Sequence, residues 1–101
     1  MDEQQDVAAF IEAHGMEAPP AYRLLDLVSE VGELSKDAAE STDYGAVPED
    51  IQVKSDEIGD VLFALLAFSS SLDVDAGEAL EEALGKYEAR IAEDGAPASG
   101  T

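Results

Sequence analysis

Two tetrapeptides of one pattern stand out in the chain: Glu30-Val31-Gly32-Glu33 and Glu57-Ile58-Gly59-Asp60, each reading acid, β-branched residue, glycine, acid. On a helix, residues three apart share a face, so each tetrapeptide aims two carboxylates in one direction. Acid pairs at this spacing are common in a chain with 24 acidic residues among 101. A glycine inside each is not, because a helix-interior glycine costs about 1 kcal/mol relative to alanine. The missing Cβ offers a reason, since it lets two helices approach closely beside the acids. If the two helices pack antiparallel through these faces, four carboxylates converge. The neighbours of Glu57 and Asp60 on the same face are Val53, Val61, Phe63 and Ala64, which is core material. Carboxylates gathered there repel one another and are poorly hydrated unless a cation joins them. Oxygen-only ligation suits Mg²⁺, or Mn²⁺, rather than Zn²⁺. A hard ion so held keeps waters and takes phosphate oxygens, which points to phosphate-ester or anhydride chemistry, with a carboxylate accepting the proton of an attacking water. The plainer alternative is a solvated face, because Asp26, Glu30, Glu33 and Asp37 fall on one stripe of their helix.

Four helical segments must position these residues, and no segment sustains strand alternation. The first spans about Glu3 to His14, with Gly15 in the place of a C-terminal cap. Pro19-Pro20 starts a second helix that reaches about Glu40 and carries Leu24, Leu27, Val28, Val31 and Leu34. A turn-rich stretch from Ser41 to Pro48 follows. The third helix is expected from about Glu49 to Ser70, and from Val61 to Phe68 it is apolar on every side. Such a helix needs cover all round, which four short helices struggle to give, so the pattern predicts an oligomer. The last helix opens near Val74-Asp75 and reaches Ile91 or Ala92, with Ala79, Leu80, Ala83, Leu84, Tyr87 and Ile91 expected to face inward. The chain reads as an all-α four-helix bundle completed by oligomerisation: one domain over residues 1–93, and a disordered tail over residues 94–101.

The charge balance narrows the function further. The chain has 5 Lys+Arg, a formal net charge of −19 and no cysteine. That excludes thiol chemistry and cysteine metal sites, and it argues against binding a nucleic-acid polymer or an anionic membrane surface, both of which call for a basic face. The acidic start lacks a signal-peptide pattern and no apolar run has the ~20 residues of a membrane span, so a cytoplasmic protein is expected. Acids spread along the whole chain fit a halophilic interior, where salt screens self-repulsion. An acidic partner-binding surface is the alternative.

Within "LLDLVSEVGELSKD" and "SDEIGDVLFALLAFSSSLDVD", the Glu-x-x-Glu, linker, Glu-x-x-Asp arrangement resembles the MazG-like all-α nucleoside triphosphate pyrophosphohydrolases. The resemblance extends from about Pro20 to Arg90, through "EALEEALGKYEARI". It implies a helical fold assembled as a homodimer or homotetramer, and Mg²⁺-dependent cleavage of a nucleotide substrate to monophosphate and pyrophosphate. By position it makes Glu30, Glu33, Glu57 and Asp60 the metal-binding catalytic residues. It also places Lys86 and Arg90 of the last helix near the phosphates. Those two lie four apart on one face, where like charges are unfavourable without an anion; pairing with Glu82, Glu88 or Glu93 is the alternative. Lys36 and Lys54 suit intrahelical ion pairs, although Lys54 has the reach for substrate. The chain departs from relatives at Ser29, Ala83 and Tyr87, where many carry an acid, a lysine and an asparagine. Those departures bear on phosphate contacts more than on the metal. Phosphoribosyl-ATP pyrophosphatase, of the same fold and chemistry, is the nearest alternative activity, and a non-catalytic acidic helical module is the alternative from another class.

Among the remaining candidates, His14 is expected to act on the helix dipole rather than in catalysis. Phe10, Tyr22, Phe63 and Phe68 read as core or interface. Ser69-Ser70-Ser71 reads as a helix ending, since no base accompanies it.

Overall fold

The computed structural model describes residues 1–94, so the tail expected beyond Asp94 lies outside the described residues. Four helices follow in order: α1 (Asp2–Ala13), α2 (Pro20–Ser41), α3 (Ser55–Ser71) and α4 (Ala76–Asp94), with a single 3-10 turn at Pro48–Asp50. The fold is all-α, as the periodicity predicts, and no strand occurs among the described residues.

The first three helices stop in the same way. At the end of α1 the N–H of Met16 bonds the Ile11 carbonyl at 2.9 Å and that of Gly15 bonds Glu12 at 3.3 Å, with Gly15 at φ 59°. This is the reversal glycine makes cheaply, at the position the sequence marks for it. The ends of α2 and α3 repeat the pattern with an aspartate in the left-handed position, Asp43 at φ 51° and Asp73 at φ 56°. There Tyr44 bonds back to Ala39 at 2.7 Å and Val74 to Ser69 at 2.9 Å. Aspartate tolerates this region because its short side chain can bond locally.

The third helix begins later than the sequence suggests. Pro48 starts only the 3-10 turn, and residues 51–54 run on without helix before Ser55. Lys54 is extended at φ −84°, ψ 141°. The β-branched Ile51 and Val53 favour such backbone, and Asp56 and Glu57 then meet the positive end of the helix in its first turn.

α2 packs mainly on α3, and α1 packs on α3 as well. Both pairs run antiparallel. The N–H of Gln52 bonds Ser41 Oγ at 2.9 Å, closing the α2–α3 end. Phe10 of α1 meets Phe63 of α3 edge to face, ring centroids 6.0 Å apart. The buried apolar core is small, comprising Ile11, Ala64, Leu66 and Ala67.

The fourth helix corrects the expectation of an inward face. It touches α3 lightly and buries no residue, and Leu80 is 54% exposed, with Leu84, Tyr87 and Ile91 also exposed. Leu24, Val28 and Val31 of α2 and Ile58, Leu62 and Leu65 of α3 are likewise uncovered. Among the described residues no helix is long and apolar enough to cross a membrane.

Candidate functional site

The α2 face turned toward α3 carries Leu27, Glu30, Leu34, Asp37 and Ala38, all half-buried, so two acids interrupt an otherwise apolar stripe. Opposite them, α3 offers the half-buried Glu57 and Val61 and the buried Ala64. The sequence places Glu30 and Glu33 together, and the structure divides them: Glu30 turns into the seam, whereas Glu33 and Asp26 stay exposed on its flank. Asp60 is exposed at the α3 side.

The electrostatics follow from this placement. Burial pushes the Glu30 carboxyl above its usual range, and the negative charges of Glu33, Asp60 and Asp26 push it further in the same direction. Asp60 thus acts on Glu30 across the two helices, but among the described residues the four carboxylates of the paired tetrapeptides do not gather into one cluster. Glu57 also titrates above its usual range. Its first cause is the side chain of Asp37 at hydrogen-bonding distance, followed by burial, the Asp37 charge and Asp56, while Lys54 opposes them. Glu57 Oε2 is buried and no N–H or O–H donor reaches it. The Asp37 carboxyl, the first cause of the upward shift of Glu57, is itself an acceptor unless protonated. Two carboxyls in contact share a proton or attract a cation.

Asp37 is thus the site residue that the paired tetrapeptides do not mark. It sits four residues beyond Glu33, and helical spacing alone made it part of a stripe without saying that this stretch of α2 faces α3. Asp37, Glu40, Ser41, Gln52, Lys54 and Glu57 line an open cavity of about 560 Å³.

Two expectations change here. An ideal Cβ built at Gly32 or at Gly59 meets nothing within 4 Å, so neither glycine serves a close helix approach within the chain. The ion pairs expected for Lys36 and Lys54 are absent as well: among the described residues neither comes within 4.0 Å of a carboxylate, and the same holds for Lys86 and Arg90. Lys54 alone of the chain's cations acts on Glu30 or Glu57. Lys86 is exposed and Arg90 half-buried on α4, away from the seam. Among the described residues no three His, Asp or Glu side chains are grouped closely enough to hold a metal ion. The donor set nevertheless fits a hard cation, being all oxygen, mutually repelling and including an orphaned buried atom.

Of the other candidates, Phe10 and Tyr22 lie exposed rather than in the core of the chain, whereas the helix-ending residues behave as expected. His14 ends α1, its Nδ1–H donating to the Phe10 carbonyl at 2.9 Å while the ring stacks on Phe10. Ser69 and Ser71 bond back to the carbonyls of Leu65 and Phe68 at 2.9 and 2.7 Å, as residues finishing a helix do.

The fold and the seam together define an all-α protein whose central antiparallel helix pair gathers carboxylates. Residues 20–93 match the family model of the MazG nucleotide pyrophosphohydrolase domain, and the chain belongs to that family. The chain is 35% identical over 75 residues to "Uncharacterized protein YpjD" of Bacillus subtilis (strain 168), a match covering 70% of this chain and 66% of that protein's length. No solved structure matches the chain.

Proposed function

We propose that the protein hydrolyses a nucleoside triphosphate or a modified nucleotide to the monophosphate and pyrophosphate. In this reading Glu30, Glu33, Glu57 and Asp60 hold Mg²⁺, with Mn²⁺ as a substitute. The observation that carries it is the α2–α3 seam: acids of both helices act on Glu30, and Glu57 Oε2 is buried without a donor. The bound ion would neutralise the polyphosphate, polarise phosphorus and acidify a water. The chain's own part is to fix the carboxylates on two packed helices and to receive the proton of the attacking water on one of them. Asp37 holds Glu57 in the seam. Lys54, on the cavity that Glu57 lines, takes a phosphate oxygen.

Lys86 and Arg90 serve the phosphates in a homodimer or homotetramer, where α4 lies across a second copy. The uncovered stripe of Leu80, Leu84, Tyr87 and Ile91 supports such an assembly. The spread of acidic charge supports a salty cytoplasm as the working environment. Pyrophosphate release from a panel of ordinary and modified nucleotides, with and without Mg²⁺, tests the reading. Metal-dependent release from at least one of them is expected. No release from any member, with metal present and the assembly intact, leaves a cation-binding or partner-binding module instead.

A further inference from the structure

A second cavity, of about 370 Å³, lies between the end of α1, the start of α2 and the end of α3. Arg23, a cation, lines it and is only 7% exposed. Its recorded partner is the Met16 carbonyl, bonded by Nη2. Among the described residues no carboxylate stands within 4.0 Å of it, in a chain with 24 acidic residues. Buried charges are ordinarily paired, because desolvation without a counter-charge is costly. Among the described residues Nη2 alone of the guanidinium nitrogens has an acceptor and no other is sealed from solvent, so the rest of the planar fork is open to the cavity and suited to a carboxylate.

The rest of the cavity describes what would carry that carboxylate. Ala8, Ile11, Ala18 and Ala67 make one side apolar. Ser70 Oγ accepts from Gln4 Nε2 at 3.1 Å, and its own proton has no acceptor among the described residues. Glu12 and Glu17 are exposed at the cavity. They repel a doubly charged phosphate more strongly than a single carboxylate, and the apolar side has nothing to offer a bare inorganic anion. We propose that this cavity binds a small monocarboxylic acid, its carboxylate on the Arg23 guanidinium and its short apolar body against Ile11 and Ala67. The site involves none of the seam residues and stands or falls independently of the hydrolase reading.

The test titrates the full chain with butyrate, using butyramide and chloride as matched controls, and follows both heat of binding and melting temperature. Butyrate is expected to bind and to raise the melting point beyond either control. In Arg23→Met, which keeps the apolar stem, affinity should fall about tenfold or more. Glu12→Gln combined with Glu17→Gln should strengthen binding by removing repulsion. Arg23→Lys retains the charge but not the fork, and should weaken butyrate binding even if the methionine variant fails to fold. Absence of butyrate binding to the wild type, or equal binding by wild type and Arg23→Lys, overturns the proposal. So does a loss of ligand-free stability in the glutamine variants that disappears when Arg23 is also replaced, which would make the glutamates the guanidinium's own partners.

Discussion

Carboxyl groups are treated in opposite ways in two parts of this molecule. Where α1 meets the α3–α4 connection, Gln4 is buried and fully used: its Nε2 donates to the Val74 carbonyl at 2.7 Å and to Ser70 Oγ at 3.1 Å, while its Oε1 accepts the Ala76 N–H at 2.8 Å. Beside it, Asp75 Oδ1 accepts the Glu78 N–H at 2.9 Å. That bond holds the Asp75 carboxyl below its usual range, helped by the terminal amino group and the Gly77 N–H and opposed by burial. In the α2–α3 seam, Glu30 and Glu57 are pushed up, because what approaches them is burial and other acids. The junction supplies donors from the start of a helix, and the seam supplies almost none. One arrangement is complete within the chain; the other leaves Glu57 Oε2 buried without a donor.

The sharpest way to break this contrast is to neutralise the seam without unfolding it. Glu57→Gln or Asp60→Asn should abolish pyrophosphate release while the helical circular dichroism is kept. Wild-type turnover by either variant at saturating Mg²⁺ removes the site assignment. The next largest effect is thermodynamic. Mg²⁺ at a hundredfold excess over its dissociation constant should add about 2.7 kcal/mol to unfolding, seen as a rise in melting point beyond that of KCl at matched ionic strength. Glu57→Gln should lose most of that rise.

How far this was readable in advance differs between the two regions. The helices, the Gly15 reversal and the acid pairs are local features, and periodicity and capping signals expose them. Asp37 meeting Glu57 depends on the register of α2 against α3, which Ser41 and Gln52 help to fix and no local pattern encodes. Gln4 was invisible for the same reason, since its partners lie 66 to 72 residues away. The α4 stripe was correctly apolar and wrongly assigned to the interior, because hydrophobic spacing says that a face wants cover without saying which chain covers it.

The junction should respond to packing chemistry where the seam responds to charge. Gln4→Leu keeps the volume but strands the Ala76 N–H and the Val74 carbonyl, at a cost of about 2 kcal/mol, measured by denaturant unfolding and unaffected by Mg²⁺. A smaller change of opposite sign is expected at the seam. Gly59→Ala meets open space and should stabilise the isolated chain by about 1 kcal/mol through helix propensity. If the same variant loses turnover, the glycine makes room for something outside the chain, a substrate or a second copy. If it gains stability and keeps turnover, the notch has no role in the reaction.

The smallest effect separates the two regions by pH. Glu30 and Glu57 keep their protons to a higher pH in the folded chain than in the unfolded one, so the stability they contribute is present below the ordinary carboxylate value and lost as pH rises through their raised values. Asp75 works the other way: its contribution is present above the ordinary value and lost as pH falls through its lowered one. In cation-free buffer of constant salt, stability should therefore decline as pH rises above the ordinary carboxylate range and decline again on strong acidification, with a maximum between. Asp75→Asn should flatten only the acid side. Glu57→Gln, or Mg²⁺ in excess, should flatten only the neutral side, because either one relieves the crowding that holds the proton there. A chain whose stability stays level as pH rises above the ordinary carboxylate range without cations has carboxyls far enough apart to ionise independently, and a seam of that kind would have no call on a divalent ion.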